Sequence, residues 1–307
     1  MASPLIPIFL SLTLVFAIPQ PSLAQASVTE VAAGDTPWRS PTDEPRVGPA
    51  SGSLVIVGGA LRDGAIIDRF LELAGGPDAP IVVIPTAEGG ATYNESYAGL
   101  RQFRARGATR LRVLHTTDRG EADSEEFIRA LREARGVWFS GGRQWRLADA
   151  YLGTRVEAEL WALLGRGGVI GGTSAGASIQ GSYLVRGDTR TNTIMMGDHE
   201  VGFGFLKNTA IDQHLLRRNR QFDLVEVLEA HPDLLGIGLD ENTAIVVQGD
   251  EVEVIGASYV AIYDRSGEWD PRRPFFLLAP GERLDLRSRK PIRPGRREVA
   301  TPAGESH

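Results

Sequence analysis

Gly168-Val169-Ile170-Gly171-Gly172-Thr173-Ser174-Ala175-Gly176-Ala177 is the stretch whose reading decides the fold. An apolar run enters a cluster of small residues, and the chain continues as Ser178-Ile179-Gln180. That order has the form of a strand, a sharp turn and a helix, with Ser174 at the apex. Small neighbours are needed there, because a Cβ would collide with the strand or helix being joined. The turn pushes the Ser174 hydroxyl into solvent and aims the Ala175 N–H at an atom under attack. Gly172 to Gly176 fits the pattern Gly-x-Ser-x-Gly. The plain alternative is a tightly packed glycine-rich turn that carries no chemistry.

Upstream of this turn, buried-strand runs alternate with helical patterns. The strands are Leu54–Val57, Ile81–Ile84, Leu111–Leu114, Gly136–Phe139 and Val169-Ile170. Helical patterns cover 66–73, 95–106, 124–135 and 156–165. Continuous apolar strands between amphipathic helices predict an α/β fold, with a mostly parallel sheet and helices on both faces. Ligands in such sheets bind beyond the carboxyl ends of the strands. Three of those ends carry suitable loops: Gly58-Gly59, Pro85–Gly90 and Ser140–Gln144. A dinucleotide site competes for this reading, but no Gly-x-Gly-x-x-Gly follows the first strand. Beyond Ser174 the pattern predicts a helix over 222–228 and short strands at 236–239, 244–247, 252–255 and 259–263, with a turn at Gly249-Asp250.

Bulk properties narrow the chemistry. The 307 residues include no cysteine, which removes a disulfide framework, a thiolate metal site and a cysteine nucleophile together. Net charge is −6, against general nucleic-acid binding. The five histidines show no metal-ligand spacing, so neither metal nor cofactor is expected. Residues 1–26 read as a secretory signal: Leu5–Ile18 is almost wholly apolar, and small residues at Ser22-Leu23-Ala24 or Ala24-Gln25-Ala26 offer a cleavage site. No Lys or Arg precedes the apolar core, which leaves an uncleaved anchor as the lesser reading. Residues 27–51 read as a disordered linker, 52–285 as the folded domain, and 286–307 as a basic flexible tail. Stable membrane association is not expected.

A serine hydroxyl needs a base, and the base needs an orienting partner. Downstream lie Asp212-Gln213-His214 and Leu239-Asp240-Glu241-Asn242-Thr243. His214 is the natural general base. Glu241 can fix its tautomer, with Asp240 as the alternative. Arg217, Arg218 and Arg220 follow His214. If that segment is helical, Arg218 shares a face with His214. Guanidinium groups pair bidentately with carboxylate, so a carboxylate-bearing ligand is indicated. The competing reading is a solvated helix face paired to surface acids.

Taken together, Gly-Thr-Ser-Ala-Gly-Ala, Asp-Gln-His with Arg218-Asn219-Arg220, and Gly-Ile-Gly-Leu-Asp-Glu-Asn-Thr-Ala resemble cyanophycinase and its relatives. These are serine peptidases that also include aspartyl dipeptidase. Ile84–Ala87 and Gly141–Gln144 match two further segments, so the resemblance spans roughly residues 53–265. It implies a flavodoxin-like fold similar to class I glutamine amidotransferases, with serine in place of the cysteine nucleophile. It implies Ser174 as nucleophile, His214 as base and Glu241 as third member, with Gly142 and Ala175 giving oxyanion N–H donors. Gln144, Asp212, Gln213, Arg218 and Arg220 would line a pocket for a β-linked aspartyl residue. The implied activity is exopeptidase cleavage of cyanophycin, the multi-L-arginyl-poly-L-aspartate polymer, to β-Asp-Arg dipeptides by an exported enzyme. An α- or isoaspartyl dipeptidase and a non-catalytic binding protein of the same fold are the rivals, and a homodimer follows by family analogy. One position departs from the pattern: Asp223 stands where the family carries arginine.

Overall fold

Five apolar runs form the parallel part of the main sheet in the computed structural model. They are β1 (Ser53–Val57), β2 (Ile81–Ile84), β3 (Leu111–Val113), β4 (Gly136–Phe139) and β5 (Val169–Thr173). The structure describes residues 46–292 apart from 63, 268 and 271. The expected leader, most of the linker and the end of the tail lie outside the described residues. β1, β2 and β4 are buried at every position. Alternate residues of β1 enter two different apolar clusters, Leu54 and Ile56 on one face, Val55 and Val57 on the other. The helix Ala65–Ala74 covers the second face with Ile66, Ile67, Phe70 and Leu71. Helices Glu125–Glu133 and Arg155–Gly165 cover the first with Ile128, Leu131, Leu160 and Leu163. Helices this short are marginal alone, so burial of these stripes holds them, at roughly 1.5–3 kcal/mol per large apolar side chain.

The chain then adds β6 (Gly181–Tyr183), β7 (Leu206–Gln213), β8 (Leu235–Leu239), β9 (Thr243–Gln248) and β10 (Glu251–Gly256), followed by β11 (Val260–Asp264), β12 (Phe276–Leu278), β13 (Arg283–Asp285) and β14 (Lys290–Pro291). Among the described residues, one sheet has nine strands in the order β14-β13-β10-β9-β1-β5-β4-β2-β3, and a second has five, β12-β11-β8-β7-β6. β1 to β5 run parallel in the first, and β9 joins β1 antiparallel. The fold is α/β and flavodoxin-like, with an antiparallel extension.

Four details differ from the sequence reading. β7 and the helix Trp145–Tyr151 carry no simple apolar period and were not anticipated. Residues 214–219 form successive turns rather than a helix, because His214 takes the left-handed conformation with φ 56°. Residues 46–48, read as linker, dock on the β9–β10 turn: the Val47 and Gly48 N–H groups donate to Asp250 Oδ1 at 2.8 and 3.0 Å. Residues 286–291, read as tail, belong to the sheet edge, with Leu286 buried and Lys290 paired to Asp285.

Candidate active site

Strand register brings distant segments to one edge. Val57 pairs with Thr173, so β1 and β5 end level. Gln213 pairs with Leu239, so β7 and β8 end level in the other sheet. Ser174 therefore leaves β5, His214 leaves β7, and Glu241 follows β8 by two residues. The end of β1 joins them. Its successive carbonyls Val57, Gly58 and Gly59 accept the N–H groups of Ser174, His214 and Asn242 at 3.0, 2.9 and 2.7 Å. Three consecutive acceptors thus fix the backbones of all three loops.

All three of the donor residues have positive φ, Asn242 at 52° in a region that asparagine tolerates, and the other two are strained. Ser174 has φ 55° and ψ −110°, and His214 has φ 56°. Such conformations cost a residue with a side chain about 1–3 kcal/mol and persist only when surrounding bonds enforce them. The small residues near Ser174 are there for space: a Cβ on Gly172 would stand 2.2 Å from the Gly176 carbonyl oxygen. Gly59 has φ +131°, and a Cβ there would lie 2.3 Å from His214 Cε1. The imidazole rests directly on that glycine.

His214 Nε2 lies 3.0 Å from Ser174 Oγ, and its Nδ1 lies 2.9 Å from Glu241 Oε1. An ionised carboxylate can only accept, so Nδ1 carries the proton and Nε2 is left to accept from the serine hydroxyl. Burial lowers the His214 pKa below its ordinary value. The Glu241 bond opposes this, while the Arg218 and Arg220 charges add to it. Burial pushes Glu241 up, but its bond to His214 and the charges of His214, Arg62 and Arg217 outweigh that, and its pKa is lowered. Arg62 Nη2 lies 3.0 Å from the other Glu241 oxygen. Near neutral pH the pair is therefore a neutral imidazole held by a carboxylate, as a general base requires. Asp240 does not face the imidazole. It accepts from the Leu216 and Arg217 N–H groups and from the Ser258 hydroxyl, and so pins the turn after His214.

The loop after β4 stands against the serine. A Cβ on Gly141 would lie 3.4 Å from Ser174 Cβ, and one on Gly142 only 2.1 Å from the Ala87 carbonyl oxygen. The loop after β2 thus packs on the Gly142 backbone, and Arg143 N–H donates to Ala87 O at 2.8 Å. The Tyr97 hydroxyl bridges Glu88 to Ser140 Oγ. No acceptor for the Gly142 N–H occurs among the described residues. The Ala175 N–H opens the helix Ala175–Ser178, where the first amides have no intrahelical partner.

Four of the five residues expected to line the pocket are buried and interlocked. Gln144 donates to Val185 O at 2.7 Å. Arg220 Nη1 donates to the Gln213 carbonyl and side-chain oxygens at 3.1 and 3.0 Å. Asp212 is wholly buried and pairs with Arg186 at 2.8 Å through both oxygens. Arg218 is exposed. Arg186, Arg62 and Tyr97 were missed by sequence reasoning. Arg186 and Arg62 lie far along the chain from their partners, as Tyr97 does from Ser140, and no local pattern marks any of the three.

A family model described as Peptidase family S51 matches residues 54–255. The chain is similar to curated proteins named cyanophycinase. That of Geminocystis herdmanii (strain PCC 6308) is 34% identical over 220 residues, covering 69% of this chain and 80% of the relative. That of Thermosynechococcus vestitus is 33% identical over 225 residues, covering 69% and 68%. The crystal structure of a peptidase from an acI-B1 Actinobacterium superposes with a TM-score of 0.59 at 27% identity, covering 76% of this chain and 97% of that one. A putative Peptidase E protein from Listeria monocytogenes EGD-e gives 0.51 at 18% identity, covering 68% and 100%, a likeness of fold alone.

Proposed function

The chain belongs to peptidase family S51 and is a serine peptidase, and from that premise we propose that it is an exported exopeptidase that hydrolyses cyanophycin to β-Asp-Arg dipeptides. The observation that carries this reading is the continuous line from Ser174 Oγ through the His214 ring to Glu241, at 3.0 and 2.9 Å, in a chain whose relatives are named cyanophycinase. Ser174 Oγ attacks the aspartyl carbonyl carbon while its proton passes to His214 Nε2. Glu241 steadies the imidazolium that results. The Gly142 and Ala175 N–H groups receive the oxyanion, each worth roughly 3 kcal/mol of barrier. The intermediate collapses as His214 returns the proton to the leaving amine, which leaves an ester on Ser174. Water then attacks that ester, giving its proton to His214, and the acid product departs as Ser174 recovers its proton. Arg218 and Arg220 draw the substrate carboxylate, with Gln144, Asp212 and Gln213 shaping the pocket. Export is supported by the leader-like residues 1–26.

The test is clearing of cyanophycin in agar by the wild type beside Ser174→Ala. Clearing by the wild type alone is expected. Absence of clearing with turnover of isoaspartyl dipeptides would move the assignment to a dipeptidase. Hydrolysis of neither, with ligand binding retained, would make it a binding protein.

A further inference from the structure

Arg186 is the most enclosed cation near the pocket. Its side chain is 2% exposed, with left-handed backbone at φ 56°. Nε and Nη2 hold the two oxygens of Asp212 at 2.8 Å each. Nη1 reaches the Asn192 carbonyl at 3.0 Å, and Nη2 also reaches Asp223 Oδ2 at 2.6 Å. Asp212 alone matches the charge of Arg186 in a fully buried two-bond pair, so Asp223 is the second carboxylate on one guanidinium. Its side chain is 37% exposed, and its Oδ1 has no hydrogen-bond partner among the described residues. A fixed carboxylate therefore presents a free oxygen toward solvent, anchored from behind.

Asp223 is tied to the catalytic segment through Arg186, which bonds both it and Asp212. Asp212, Gln213 and His214 are consecutive, and Arg220 lies 4.0 Å from Asp212 while bonding Gln213. Arg220 is near enough to His214 to depress its pKa, and near enough to Asp223 to be influenced by it. Arg186 and Arg220 against Asp212 and Asp223 make this inner wall electrically neutral. A purely anionic ligand gains little from a neutral wall. A ligand that brings a carboxylate for Arg220 and a cation for the carboxylate left beside it keeps the balance, and charges in a partly desolvated site are selective for that reason.

We propose that Asp223, held by Arg186, is the specificity-determining carboxylate of this pocket and receives a guanidinium or ammonium group of the substrate, so that the enzyme selects zwitterionic over purely anionic aspartyl units. The inference rests on the aspartyl-peptidase reading above. It is tested with short β-linked aspartyl peptides carrying arginine, beside the same peptides carrying citrulline, which keeps the shape and removes the charge. The wild type is expected to favour arginine by about tenfold in kcat/KM, the scale of one charge-assisted hydrogen bond. Asp223→Asn removes that preference, with the loss falling on KM for the arginine peptide, and Asp223→Glu retains it. A preference that survives Asp223→Asn, or an equal loss on both peptides, overturns the proposal. Should Asp223→Asn fail to fold, the wild type still decides, because equal kcat/KM on the two peptides overturns it. Cleavage of neither peptide by the wild type overturns the parent reading instead.

Discussion

Gly59→Ala is the sharpest perturbation of the site. The new Cβ would stand 2.3, 2.6 and 2.9 Å from His214 Cε1, Nδ1 and Nε2. Carbon contacts settle near 3.5–4.0 Å, so the ring must retreat by about 1 Å. Retreat stretches the 3.0 Å contact from Nε2 to Ser174 Oγ beyond hydrogen-bonding range. A displacement of that size costs on the order of 10²-fold, and outright loss of the base on the order of 10⁶-fold. The expected result is a fall in kcat between those limits. Backbone strain at φ +131° also destabilises the fold, which must be separated from the collision. Gly75→Ala does this: it has φ +105° with nothing within 4 Å of its Cβ. That variant should lose about 1–3 kcal/mol of stability in urea melts and keep its kcat. Steady-state kinetics on folded protein decides the matter. A folded Gly59→Ala enzyme with wild-type kcat would refute the claim that this glycine seats the imidazole, and so would an equal loss in Gly75→Ala.

Glu241→Gln keeps the shape of the third member and removes its charge. It should lower kcat by about 10³–10⁴-fold, because a neutral amide can turn its NH2 to Nδ1, which favours the wrong tautomer, and no longer stabilises the imidazolium. Arg186→Met leaves Asp212 charged and buried without its partner. Chemical denaturation should show a loss of about 3–5 kcal/mol, of which a compensating Asp212→Leu change in the same chain recovers most.

The strands, the serine turn and the order of the three candidate catalytic residues were legible because each is written locally. Leu54–Val57 is a continuous apolar run, and Gly172–Gly176 is a turn that only small residues can make. β7 was not legible. It buries Asp212 and Gln213 at its end, where the usual pattern places polar residues outside, and the partners that make this tolerable are Arg186 and Arg220. The turn after His214 was misjudged for a related reason. Its spacing of arginines suits a helix, but Gly58 O holds the His214 N–H, and Asp240 collects the next amides. Both constraints come from other strands. Gly58-Gly59 could be seen as a loop, yet its role as the shared anchor of three loops depends on a register between two sheets that no single segment records.

The electrostatics of His214 couple binding to base strength. In the free enzyme burial holds its pKa down, and the Arg218 and Arg220 charges hold it lower still. A substrate carboxylate on those guanidiniums cancels part of their field, which favours the imidazolium and raises the pKa. The base therefore strengthens when substrate is in place. The sign is definite: activity needs neutral His214, so it is lost as pH falls through this pKa. The acid limb of kcat/KM reports the free enzyme and that of kcat the complex. The limb of kcat should thus lie at higher pH than that of kcat/KM, and both should lie below or near the ordinary histidine value of about 6.5. Arg218→Gln should raise the limb of kcat/KM toward that of kcat and narrow the gap. Coincident limbs in the wild type, or a gap unaltered by Arg218→Gln, would separate the arginines from the base and return them to a purely steric role.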